Sequence, residues 1–311
     1  MKKNRTICWR LILLDLRRLR LLRELKRRGT VTAVAEALGY SPSAVSQQLA
    51  TLERETRVTL LEPAGRRVRL TPQADVLVEH AERLLAEMER AEAALARSLH
   101  DTVGTLRVAA FQTAVLALLP DVLLRLAQEH PSLRVEVTEA EPESALPALV
   151  AGQFDLVLGE EYPDRPLPRP REVERRGLFR DELRLAVPSA WPERTLAGLA
   201  HRPFVLEPTG TAARDWATAA CRAAGFEPDV QHVSTDLQIH LTLVAHGLAA
   251  ALVPDLAGAA GRDGLAVHAL PAAPARSVFA AVRLGALDQP TTAAFTDALV
   301  VSHRAATGKE N

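Results

Sequence analysis

The sequence predicts a small, basic helical head, a long connecting helix and a larger α/β body. Three observations carry that order. First, 311 residues suit about two domains of roughly 100–200 residues each. Second, charge is split. Residues 1–71 hold 16 Lys and Arg against 6 Asp and Glu, although the whole chain has 38 of each sign. Third, apolar spacing is helical up to about residue 100 and alternates between strand and helix patterns beyond it.

The head begins after MKKNRTICWRLILL, residues 1–14, an extension that opens like a signal peptide. Arg10 breaks its apolar run, and a basic segment follows where small residues would mark cleavage, so the chain is expected to stay in the cytoplasm. Asp15 to Arg28 reads as a helix with Leu16, Leu19, Leu22 and Leu25 on one stripe, ended by Gly29. Val31, Val34, Ala35 and Leu38 mark a short second helix, capped by Thr30 or Thr32. Gly39-Tyr40 turns the chain. Ser41 then caps a third helix with Pro42 at its first position, where a missing N–H costs nothing.

In the third helix Val45, Leu49 and Leu52 share the buried face. Ser43, Ser46, Gln47, Ala50 and Arg54 lie opposite. Serine and glutamine there are unusual for a merely solvated face, where Glu and Lys prevail, and their groups suit base edges and phosphates. VTLLEPAGRRVRL reads as two short strands around a Pro-Ala-Gly turn, with Arg66, Arg67 and Arg69 on the return. A helix-turn-helix followed by a basic hairpin is a winged helix-turn-helix, here residues 15–71. Thr71-Pro72 opens a long helix to about Leu99, within a 72–101 linker. On it Leu77, Ala81, Leu84, Met88, Ala91 and Leu95 recur at steps of four and three, the seam of a helix that pairs with a partner.

From Gly104 strands and helices alternate, which predicts an α/β domain with largely parallel sheets over residues 102–305, before a 306–311 tail. The helix TAVLALLPDVLLRLAQEHP is expected to break or bend at Pro120. Polar residues recur where strands give way to helices: Gln112-Thr113, Thr209-Gly210-Thr211 and Thr235-Asp236. Such junctions lie at the carboxyl edge of a parallel sheet, where ligands bind. Helix N-termini there suit a carboxylate or other anion, although Thr and Asp are equally common as plain caps.

Other chemistry lacks a signature. No phosphate-binding glycine motif or serine-nucleophile elbow is present. His232, His240 and His246 read as packed or surface histidines rather than metal ligands. Glu160-Glu161 and Asp181-Glu182 read as solvated pairs, since adjacent residues rarely face one cleft. Cys8 and Cys221 have neither disulfide-framework nor metal spacing. No apolar run reaches roughly 18 residues, so no membrane span is expected.

GTVTAVAEALGYSPSAVSQQLATLERE and GRRVRLTP, with the linker helix, resemble the N-terminal region of the LysR-type transcriptional regulators over about residues 15–98. LVAHGLAAALVP resembles a later segment of that family, which extends the similarity to about residue 305. Departures are LLEPAGRR, with Leu61, Glu62 and Pro63 where the family usually has Leu-Phe and then a basic residue, and Gln73-Ala74-Asp75 where it tends to have Ala-Gly.

The resemblance implies a periplasmic-binding-protein-like effector domain of two subdomains, about 102–178 with 272–305 and about 179–271. It implies no cofactor but a small-molecule effector, with an anion as one option. Thr32, Pro42, Ser43, Ser46, Gln47, Arg54, Arg66 and Arg67 would contact DNA. Gln112, Thr113, Thr209, Gly210, Thr211, Thr235 and Asp236 would contact effector. The expected partners are double-stranded DNA with an interrupted inverted repeat and further copies of the chain, as a homodimer and the family's homotetramer. RNA polymerase stays open as a partner. Two rival readings make different demands: a solute-binding protein should be exported, and an α/β enzyme should carry a nucleophile, cofactor or metal motif.

Overall fold

The structure, a computed structural model, describes residues 14–64, 67–99 and 102–307. The chain divides within its long helix, after Glu92, into two compact units.

The first unit starts with α1 (Leu16–Arg28), α2 (Val31–Leu38) and α3 (Pro42–Thr56). Each start is capped by a side-chain oxygen that accepts a backbone N–H: Asp15 from Arg17, Thr30 from Ala33 and Ser41 from Ala44. Thr30, not Thr32, is therefore the cap of α2. Gly29 and Gly39 end the first two helices at φ +73° and +69°, the left-handed region a Cβ disfavours. Leu19, Leu22, Leu25, Val34, Val45, Leu49 and Leu52 form the core. Within it Glu24 is fully buried and ion-paired with Arg23 and Arg28 at 3.0 and 2.9 Å.

β1 (Leu61–Ala64) and β2 (Arg67–Leu70) pair antiparallel. Pro63 and Ala64, expected in the turn, instead continue β1 opposite Val68 and Arg67. As an edge strand, β1 tolerates proline, which has no N–H for the ladder. Gly65 and Arg66 lie outside the described residues. α4 (Pro72–Arg97) follows, with Thr71 Oγ1 capping it by accepting from Ala74 N.

The second unit contains β3 (Gly104–Ala110), α5 (Gln112–Ala117), α6 (Leu119–Glu129), β4 (Leu133–Glu139), α7 (Pro142–Val150), β5 (Leu156–Glu161) and β6 (Val173–Pro188). Next come β7 (Pro203–Leu206), α8 (Ala212–Ala223), β8 (Asp229–Val233), α9 (Leu237–Ala245), β9 (Ala251–Pro254), β10 (Leu265–Ala269), β11 (Ala275–Arg283) and α10 (Pro290–Thr307). The helix around Pro120 does break. Leu118 separates α5 from α6, and the proline sits in the first turn of the latter.

Sixteen-residue β6 joins the two halves of this unit. Its first part pairs with β11, which continues into β5, β3 and β4. Its last residues pair with β9 and β10. β7 and β8 pair in parallel beside them, and Val205 N donates to Ala250 O next to β9.

The expectation of largely parallel sheets is overturned. β3 is parallel to β4 and β5, but β11 is antiparallel to β5 and β6, and β9 and β10 are antiparallel to β6. Sequence alternation reveals the crossover helices. It does not show that β9, β10 and β11 all run antiparallel to β6.

Candidate DNA-reading face and effector cavity

Capping and packing aim α3. Val45, Leu49 and Leu52 anchor one side. Pro42, Ser43, Ser46, Gln47 and Arg54 are exposed on the rest, and Thr32 is exposed on α2. Two hydroxyls have local partners: Ser43 Oγ is 3.0 Å from Ser41 Oγ, and Ser46 Oγ donates to Pro42 O at 3.0 Å. Arg54 donates to Thr51 Oγ1 at 2.7 Å. The Gln47 amide has no hydrogen-bond partner among the described residues, so both of its ends are available to a base edge.

The arginines at the wing tip divide. Arg66 is outside the described residues, and Arg67 occupies the first position of β2. Arg69 is spent on Glu62 at 2.9 Å. Sequence reasoning missed Glu53, whose Oε1 accepts the N–H groups of Leu60 and Leu61 at 2.8 and 3.0 Å. That side chain ties α3 to the start of the wing.

Along α4 the expected seam divides as well. Ala81 is buried in the core of the head and Leu77 packs against it. Leu84, Met88 and Leu95 are exposed large apolar residues, and Ala91 is exposed with them.

In the second unit a cavity of about 250 Å³ opens at the carboxyl ends of the strands. Phe111, Gln112 and Thr113 reach it after β3, Glu141 and Glu143 after β4, and Glu160 at the end of β5. Glu207, Gly210 and Thr211 follow β7, and Thr235 follows β8. Thr209 and Asp236 are not part of the lining. Asp236 is occupied instead: its Oδ1 accepts from Gln112 Nε2 at 2.9 Å and from Gln238 N at 2.8 Å. Gln112 Oε1 in turn accepts from Leu237 N at 3.0 Å, so one amide bridges the starts of α5 and α9.

The charged residues of the cavity were not anticipated. Arg276, at the start of β11, is 2% exposed. Its Nε donates to Asp181 Oδ2 at 2.9 Å, its Nη2 donates to Thr113 Oγ1, and its Nη1 lies 3.6 Å from Glu160 Oε1. Its guanidinium stacks 4.8 Å from the Phe111 ring centroid. Burial opposes this charge, but Tyr162, Glu160 and Asp181 outweigh burial and hold its pKa above the ordinary arginine value. Burial, reinforced by repulsion from Glu141, Glu207 and Glu143, pushes Glu160 up to about 8 despite Arg276. Burial and then Glu141 push Glu207 up to about 7. Glu141 is raised too, by burial and Glu143.

The reading of Glu160 and Asp181 as solvated is therefore corrected. Alternation along a strand sends neighbours to opposite faces. Glu161 turns to Arg175 and Glu182 to Arg184, while Glu160 and Asp181 turn inward. Four glutamates and one arginine are the charged residues of the lining. A usable signal existed. Glu141, Glu160 and Glu207 stand at the carboxyl ends of β4, β5 and β7, the same kind of position that singled out the threonines.

His240 is packed, with Nε2 2.8 Å from Ser234 O, and burial lowers its pKa. Among the described residues no group of three His, Cys, Asp or Glu side chains is placed to hold a metal ion. No described helix is long and apolar enough to cross a membrane.

Residues 16–75 match the family model for the bacterial regulatory helix-turn-helix protein, lysR family. Residues 100–302 match the LysR substrate binding domain. The chain belongs to the LysR family of transcriptional regulators. Like other LysR regulators it joins a DNA-binding helix-turn-helix to a domain for a small-molecule effector.

Among its relatives is the probable HTH-type transcriptional regulator LrrA of Synechococcus elongatus, 31% identical, covering 92% of this chain and 96% of that one. A probable hydrogen peroxide-inducible genes activator of Mycobacterium avium is 32% identical, covering 77% and 79%. In fold the chain resembles full-length OxyR from Pseudomonas aeruginosa, with a TM-score of 0.63, 20% identity and coverage of 92% and 98%. It also resembles full-length CbnR, a LysR regulator solved in complex with its target DNA, with a TM-score of 0.51, 25% identity and coverage of 93% and 99%.

Proposed function

We propose that this LysR regulator reads its operator with the exposed face of α3 and senses a small molecule in the cavity between the two halves of its α/β unit. The observation that carries the first part is the free Gln47 amide, beside Ser43 and Ser46, on a helix whose other face is core. Pro42, Arg54 and Thr32 flank that face, and Arg66 and Arg67 supply phosphate contacts from the wing. Gln112, Thr113, Gly210, Thr211 and Thr235 frame the effector. Asp236 braces the frame by accepting from Gln112 Nε2.

Leu84, Met88, Ala91 and Leu95 form the seam through which two copies pair, so that paired heads meet an interrupted inverted repeat. Two such pairs make the tetramer, and RNA polymerase is the partner downstream. The domain borders are 15–71 for the head, 72–101 for the linker and 102–305 for the effector domain. Effector binding shifts a population between two head spacings. The protein works in the cytoplasm and performs no catalysis.

Gln47→Ala tests base readout. Discrimination between operator and random DNA should fall by about 1–3 kcal/mol in titrations at fixed salt. Arg67→Ala should weaken both DNAs alike and lower the salt slope by about one. Equal losses on both DNAs for Gln47→Ala would remove it from base readout.

The mycobacterial relative's name suggests oxidant sensing as a second reading. Reactive thiols are exposed and of low pKa. Cys221 is buried, and burial pushes its thiol up to about 12. That cysteine is inert packing.

A further inference from the structure

We infer that the effector of this cavity is an organic cation, a small molecule bearing a primary ammonium or guanidinium group held among Glu141, Glu143, Glu160 and Glu207. The inference rests on the effector role proposed above and gives that ligand its chemical class.

Four glutamates face the cavity against one arginine. The arginine is not free to bind an anion, since Asp181, Thr113 and Glu160 already surround Arg276. The starts of α8 and α9 are capped too, whereas α5, which also reaches the cavity, has no side-chain cap. Thr211 Oγ1 accepts from Arg214 N, while Asp236 and Gln112 take the first N–H groups of α9.

Glu160 supplies an independent sign. Its side chain is 9% exposed, and its Oε2 has no hydrogen-bond partner among the described residues. A buried carboxyl oxygen without a partner is costly, and a cationic ligand N–H would satisfy it by displacing the proton that Glu160 holds. Aromatic Phe111 and Tyr162, both lying against the Arg276 guanidinium, complete the walls. The cavity lies just below the ~300–1,000 Å³ of ordinary ligand sites, which fits a small molecule.

Binding has a proton signature. Glu160 and Glu207 titrate at about 8 and about 7 in the free protein. The charged and titratable groups facing them are Glu141, Glu143, Tyr162 and Arg276. A cation favours their ionised forms, so binding at neutral pH releases protons and strengthens as pH rises.

Calorimetry on the full-length protein, in buffers of different ionisation heat, tests this with four probes. These are agmatine, 1,4-diaminobutane, the dianion glutarate and magnesium chloride. Agmatine or diaminobutane should bind with proton release, and both Glu160→Gln and Glu207→Gln should weaken that binding about tenfold or more. Using two isosteric variants, each checked for an unchanged circular dichroism spectrum, guards against a misfolded one.

Binding by glutarate or magnesium in place of the amines overturns the inference. So does no amine binding at millimolar concentration, or amine binding indifferent to both substitutions. Operator binding is measured on the same preparation. Its failure would count against the regulator reading alone, because the calorimetry does not depend on DNA.

Discussion

At the scale of the residue, the decisive contrasts are between neighbours. Gln47 and Gln48 are adjacent amides, yet Gln48 Oε1 accepts from Arg18 at 2.9 Å while Gln47 is unengaged among the described residues. Glu160 and Glu161 are adjacent acids, yet one faces a cavity and the other an arginine pair. The most constrained ionic contact is Asp181–Arg276, directly opposed across β6 and β11. Removing one partner of a buried pair strands the other charge. Asp181→Ala should therefore destabilise the effector domain by about 3 kcal/mol in urea titrations. Replacing both residues together, Asp181→Leu with Arg276→Met, should cost less than that single change. A larger cost for the double variant would show that the pair contributes more than mutual neutralisation.

At the scale of the element, two helices do more than their amphipathic pattern suggests. α3 is both the reading helix and the anchor of the wing, because Glu53 on its inner flank holds the N–H groups that open β1. Glu53→Ala should destabilise the head by about 1–3 kcal/mol in thermal unfolding. Glu53→Gln, which keeps an acceptor oxygen, should lose less. α4 changes role along its length. Ala81 belongs to the head core, while Leu84, Met88 and Leu95 are 44%, 41% and 69% exposed. Charged substitutions at exposed sites cost a single chain little, usually within about 0.5 kcal/mol. Leu84→Glu with Met88→Glu should thus leave the melting of the fold nearly unchanged while sedimentation equilibrium shows dissociation. Unchanged assembly would exclude this stripe as the pairing seam.

At the scale of the whole molecule, the acidic cavity links stability to pH. Glu160 and Glu207 have folded pKa values of about 8 and about 7, above an ordinary carboxyl near 4.5. Between those limits the folded state holds protons that the unfolded state has released, so stability falls as pH rises. The contribution is full below about 4.5 and gone above about 8. His240, lowered by burial, acts oppositely below its ordinary 6.5, because the unfolded chain gains a proton there. The clearest window is therefore pH 6.5 to 8, where melting temperature should fall in the wild type and fall less in Glu160→Gln. A melting temperature that rises across that window would contradict the assignment.

Much of this was legible in the residues themselves. Caps, glycine stops and apolar stripes place α1 to α4, because such signals act within a few residues. The change of period near residue 100 marks the α/β unit for the same reason. The charge split and the Ser-Gln face of α3 point to nucleic acid before any fold is known. The tertiary structure decided what depends on contacts far apart in sequence: the antiparallel return of β9, β10 and β11, the division of the α4 seam, and the meeting of Glu141, Glu160, Glu207 and Arg276. Local pattern separates polar from apolar but gives every carboxylate the same reading. Only packing against distant strands decides which one loses its water, and that loss makes Glu160 a candidate ligand contact while Glu161 beside it only holds an arginine.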